Sequence, residues 1–110
     1  LKHSDIVFFE NGAGQVITPG FAGPGVICQT LTKYWFWRAD YPTSELKSAQ
    51  WAVDFGEKAN AQNVAFILNS SPNPQGLLDD NLAERYAEIG KLYQFPEPIR
   101  EIPENWLKRD

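Results

Sequence analysis

An α/β fold, with parallel strands and helices in alternation, is what this 110-residue sequence predicts. Three observations predict it. The short runs 5–10, 26–31 and 64–68 are apolar and have the length of strands. Apolar residues recur at helical spacing in the segments after the second and third runs. Gly, Pro and Asn punctuate the junctions, where the chain must turn.

Taken in order, Asp5-Ile6-Val7-Phe8-Phe9-Glu10 is an apolar strand ending at a carboxylate. Residues 11–24 carry Gly12, Gly14, Gly20 and Gly23 with Pro19 and Pro24, the composition of a long loop. Residues 26–31 form the second strand, followed by the aromatic cluster Tyr34-Trp35-Phe36-Trp37. Pro42-Thr43-Ser44-Glu45 is expected to open a helix, with a hydroxyl capping free backbone donors. Leu46, Ala49, Ala52, Val53 and Gly56 share one face of that helix, and Ala59 lies near its end. Residues 60–63 break it, and 64–68 make the third strand. Asp79 and Asp80 put negative charge at the start of a last helix, where the dipole is positive. Asn81 and Glu84 offer an alternative start at capping-box spacing. Leu82, Tyr86, Ile89 and Tyr93 form its core-facing stripe, and Pro96 and Pro98 end it.

Strands of a parallel sheet are apolar on both sides and need covering on both. Three strands and two helices close nothing alone, and a full (β/α)8 barrel takes about 250 residues. The expectation is therefore the C-terminal portion of a TIM-like barrel. Residues 1–95 would be its last β/α units and residues 96–110 an extended C-terminal tail. The absence of Met, with Leu1 first, fits a segment of a longer chain.

Composition narrows the functional classes. Hydrophobic residues are 43% and charged residues 22%, a globular balance. A net charge of -4 with no basic cluster argues against nucleic acid as a partner. No apolar run approaches the roughly 20 residues of a membrane span. Cys28 is the single cysteine, so no internal disulfide forms, and its apolar setting reads as a buried structural thiol. His3, between Lys2 and Ser4, reads as exposed and incidental. One His and one Cys do not build a zinc site. Gly12-Ala13-Gly14 lacks the third glycine of a dinucleotide fingerprint and is followed by Thr18-Pro19 rather than a helix, so no cofactor is expected.

In barrels of this kind the chemistry sits at the C-terminal ends of the strands. Those ends carry Glu10, the 34–37 cluster, and Asn69 with its loop. Aromatic faces and polar groups at one rim suit a sugar ring.

The stretch Asn69-Ser70-Ser71-Pro72-Asn73-Pro74-Gln75-Gly76-Leu77-Leu78-Asp79-Asp80-Asn81, entered from an apolar strand and followed by Glu88-Ile89-Gly90, resembles the late signature of family 29 glycoside hydrolases, the α-L-fucosidases. Cys28-Gln29-Thr30-Leu31 followed by Trp35-Phe36-Trp37 is similar to an upstream segment of the same family. The resemblance covers about residues 26–93 well and the first 25 loosely. It implies a retaining α-L-fucosidase on a TIM-like barrel, acting on fucosylated glycans with the remainder of the barrel as its structural partner. Export to the periplasm or the medium is an expectation by analogy alone.

Retaining hydrolysis takes two carboxyl groups roughly 5–5.5 Å apart, a nucleophile and a general acid/base. The resemblance implies an aspartate nucleophile on an earlier strand, outside this segment. Many relatives carry a glutamate after a Thr-Pro pair or two residues before the Cys, where this chain has Gly20 and Val26. Glu10 is the candidate acid/base, against a plain solvated strand-end carboxylate. Trp35 and Trp37 either line a sugar subsite or pack in the core. Asn69 either binds sugar hydroxyls or fixes the turn after it. Asn69-Ser70-Ser71 also matches a glycosylation sequon, a pattern with many chance matches. Trp51 reads as helix-surface packing and Trp106 as a tail anchor. Gly20, Val26 and the missing nucleophile also fit a second class, a non-catalytic carbohydrate-binding or interaction module derived from such a barrel.

Overall fold

A computed structural model describes residues 6–10 and 16–107. His3 and the Gly12-Ala13-Gly14 stretch lie outside the described residues. The element order is β1 (Val7–Phe9), β2 (Gly25–Thr30), a 3₁₀ turn (Tyr41–Thr43), α1 (Ala49–Ala61), β3 (Val64–Asn69), α2 (Asp80–Leu92) and α3 (Glu104–Leu107). The strands form one sheet in the order β1-β2-β3, both pairings parallel. Gly25 stands opposite both Val7 and Val64, and Ile27 opposite Phe9 and Phe66. The chain is thus a mixed α/β structure with a three-stranded parallel sheet.

Alternation along a strand sends neighbouring side chains to opposite faces. Val7, Phe9, Ile27, Val64, Phe66 and Leu68 all contribute to the apolar core beneath the helices. Helix α1 lays Ala49, Ala52, Val53, Gly56 and Ala59 on that face, the stripe that the spacing predicts. Helix α2 packs Leu82 and Ile89 beside it, with Tyr86 and Tyr93 half-buried. Gly56 lets α1 come close: a Cβ there would stand 2.5 Å from the Tyr93 ring and 2.8 Å from Phe66. Ile27, Leu31, Val64 and Leu82 are almost wholly shielded. Each such burial contributes about 1.5–3 kcal/mol.

Among the described residues, no helix covers the other face of the sheet. Ile6, Phe8, Val26, Cys28, Ala65 and Ile67 alternate with the core set, and none of them joins either core cluster. Ile6, Phe8 and Ile67 are 56%, 45% and 49% exposed. Helices α1 and α2 both pack on the core face.

Three expectations are corrected. Helix α1 begins at Ala49, not near Pro42. The Thr43 and Ser44 hydroxyls both donate back to the Asp40 carbonyl, and residues 41–43 close as a 3₁₀ turn. The cap is Ser48, whose hydroxyl accepts the Trp51 N–H at 2.9 Å. Cys28 is half-buried rather than buried, because it sits on the bare face. The tail is not extended throughout, since α3 forms within it. There the Trp106 indole donates to the Ala22 carbonyl at 3.1 Å, an anchor under the N-terminal end of the sheet. Trp51 packs on the surface of α1 against Phe55, with the Lys47 ammonium over its ring.

Candidate functional site

Two loops meet beyond the C-terminal ends of β2 and β3. The loop after β2 carries the aromatic cluster, and the loop after β3 carries Ser70 to Asp79. Polar side chains stitch them together. Asn69, the last residue of β3, donates its amide to the Trp35 carbonyl at 3.1 Å, and the buried Ser71 hydroxyl donates to the same carbonyl. The Trp37 indole N–H donates to the Asp79 carboxylate at 2.9 Å. Asn73 donates to the other Asp79 oxygen at 3.2 Å.

Asp79 is the N-cap residue of α2, yet its side chain makes no capping bond. It is 8% exposed, and its carboxylate is spent across the loops instead. The alternative start at Asn81 and Glu84 is not used either: both residues lie inside α2, and the Asn81 amide donates to the Tyr41 carbonyl at 2.8 Å. The rigidity of the Pro72-Asn73-Pro74 stretch has a local cause. The Asn73 side-chain oxygen accepts from the Gln75 and Leu77 amides, the self-turning habit of asparagine.

The aromatic loop has its own internal frame. Tyr41 is 2% exposed, and its hydroxyl accepts the Tyr34 N–H and donates to the Tyr34 carbonyl, each at 3.1 Å. The Thr32 hydroxyl also donates to that carbonyl, at 2.6 Å. Lys47 reaches under the end of β2 and donates to the Thr30 carbonyl at 2.7 Å. Burial lowers its ammonium from the ordinary lysine range.

The four residues singled out from the sequence separate here. Glu10 directly follows β1 and is exposed. Phe9 pairs with Ile27, so Glu10 comes level with Cys28, and its charge, after the larger effect of burial, pushes the Cys28 thiol up. Trp35 is 42% exposed, and Phe36, next to it, is 79% exposed. Trp37 is half-buried and tied to Asp79. Asn69 holds the neighbouring loop through its amide, which also takes the sequon nitrogen into the fold.

Sequence reasoning missed Tyr41, Ser71, Asn73 and Asp79 as the frame of the rim. The Asx-turn signal at Asn73 was readable. The partners of Asp79 and Tyr41 were not, because the Asp79–Trp37 bond spans 42 residues.

Among the described residues, no group of three or more His, Cys, Asp or Glu is placed to hold a metal ion, and no helix is long and apolar enough to cross a membrane. Comparison with protein-family models, with curated proteins and with solved structures finds no match to this chain.

Proposed function

We propose that this chain is the C-terminal β/α portion of the barrel of a retaining α-L-fucosidase, hydrolysing terminal α-L-fucosyl linkages of glycans. The observation that carries this reading is the one-sided parallel sheet, bare and apolar on the face opposite its helices, with Glu10 and an exposed aromatic loop at its C-terminal rim. Parallel sheets are covered on both faces. A closed barrel covers the second face with the side chains of its own remaining strands. The outer edge of β3 supports the same reading. An apolar cleft of about 450 Å³ lies there, lined by Phe66, Leu68, Tyr86, Ile89, Tyr93 and Phe95, the kind of surface a further element packs on.

In this mechanism the aspartate of an earlier strand attacks the anomeric carbon. Glu10 protonates the departing glycosidic oxygen, then deprotonates the water that releases fucose. Trp35 offers a ring face to the sugar. Asn69 and Trp37 do not contact it but hold the loop that presents Trp35.

The test is Glu10→Gln in the complete protein. With a fucoside of poor leaving ability, kcat/KM falls on the order of 100-fold or more, the usual contribution of a general acid. A substrate whose leaving group needs no proton suffers far less in the bond-breaking step. Near-normal activity on the poor leaving group would sink the assignment of Glu10. A complete protein that binds fucosylated glycans but cleaves none would favour the carbohydrate-binding module, to which Gly20 and Val26 point.

A further inference from the structure

We propose that Phe36, with Trp35 beside it, is the platform for the sugar from which fucose is cleaved, the leaving-group subsite. This rests on the fucosidase reading above. The loop is fixed on both sides of Phe36. Tyr34 is held at its N–H and carbonyl by the Tyr41 hydroxyl, the Trp35 carbonyl by Asn69 and Ser71, and the Trp37 ring by Asp79. Phe36 rides between these ties with 79% of its surface in water.

Its neighbours differ in what their rings already touch. The Tyr34 ring carries the Arg38 guanidinium at 4.6 Å and the Lys33 ammonium at 5.5 Å. Among the described residues the Trp35 and Phe36 rings make no ring or cation contact, and the Trp35 indole N–H has no hydrogen-bond partner. An apolar ring on a pinned backbone loses little freedom on binding, which favours affinity. A pyranose matches this pair chemically: its C–H face lies on the Phe36 ring, and a hydroxyl accepts the Trp35 indole proton.

Position selects which sugar. The fucosyl ring must lie at the strand ends, where Glu10 stands. Phe36 is six residues beyond the last residue of β2, on a loop tied to the β3–α2 connection rather than to β1. That sets it toward the β3 side of the rim, across β2 from the edge strand that Glu10 follows, where the next sugar of the chain extends.

The experiment compares Phe36→Ala with wild type in the complete protein on two substrates. In α-L-fucosyl fluoride the leaving group is a single atom and reaches no platform. In a fucosylated oligosaccharide it is a sugar. The fluoride is expected to keep its kcat/KM within about twofold. The oligosaccharide loses about tenfold, mainly in KM, as fits one lost stacking contact. Phe36→Tyr keeps the ring and restores the oligosaccharide, which separates stacking from misfolding. Equal loss on both substrates would assign Phe36 to the fold, to a covering part of the complete chain or to the fucosyl subsite, and would overturn the proposal. No loss on either would overturn it as well. A wild-type protein inactive on the fluoride removes the fucosidase reading itself, whereas one active on the fluoride with an insensitive Phe36→Ala removes only the platform.

Discussion

Replacing Trp37 with Phe keeps an aromatic ring in the loop and deletes one atom group of consequence, the indole N–H that donates to Asp79 at 2.9 Å. A hydrogen bond to a charged group contributes about 1.5–3 kcal/mol. Trp37 is half-buried, so water partly replaces the lost donor and the lower end applies, about 1.5 kcal/mol. Asp79 keeps its bond from Asn73 and its favourable place at the start of α2. Asp79→Ala loses all three contributions and costs about 3 kcal/mol. The double variant then also costs about 3 kcal/mol, not the sum, because the same bond is lost only once; the coupling is about 1.5 kcal/mol. Denaturant unfolding of the complete protein followed by circular dichroism measures all four corners of this cycle. A Trp37→Phe protein within about 0.5 kcal/mol of wild type, or additive single effects, would refute the claim that Asp79 holds the rim through Trp37.

Two further outcomes follow from the core and from the bare face. Gly56→Ala improves helix propensity by about 1 kcal/mol, but its Cβ meets Tyr93 and Phe66 within 2.8 Å. Overpacking of this kind costs about 1–3 kcal/mol, so the thermal midpoint falls; an unchanged or higher midpoint contradicts the close approach of α1 to Tyr93. Cys28 is raised first by burial and then by Glu10, so at pH 8 it holds less thiolate than a free cysteine and reacts slowly with iodoacetamide. Glu10→Gln removes the second cause and speeds alkylation, while an unchanged rate would separate Glu10 from Cys28.

What the sequence disclosed follows from periodicity. The stripe from Ala49 to Ala59 and the pairing of Leu82 with Ile89 are local repeats, and the buried face of each helix matched them. Glu10 and Asn69 were placed at strand ends because each closes an apolar run. Local chemistry failed where several residues could do the same job. Thr43, Ser44 and Ser48 all offer a capping hydroxyl, and only the fold decides that the first two bond to Asp40. Asp79 looks like a helix cap in sequence, and its position is right. Its side chain serves Trp37 and Asn73 because the meeting of two loops puts stronger donors in reach. Which tryptophan faces outward was likewise unreadable. Trp35 and Trp37 alternate identically in the sequence, and a partner 42 residues away distinguishes them.

The two ends of the sheet are secured by similar means but left in different states. Below the strands, Gln62 donates to the Thr18 and Phe21 carbonyls, Asn63 to that of Ala22, and Trp106 to the same Ala22 oxygen. Asn63 adopts φ 58° there, and Gly23 packs so tightly on it that a Cβ would overlap its carbonyl. Every one of these side chains is consumed in closing the loop between β1 and β2. Above the strands, Asn69, Ser71, Trp37 and Tyr41 are consumed in the same way, but what they fix is a loop whose Trp35 and Phe36 rings point to water. Rigid support beneath unpartnered aromatic groups is the pattern of a binding surface, since ordering costs are met before a ligand arrives. On the sugar-binding reading proposed above, Asn69 and Trp37, candidates from the sequence together with Trp35, serve as the scaffold of that surface. The same reading assigns recognition to the exposed neighbours they hold in place, Trp35 and Phe36.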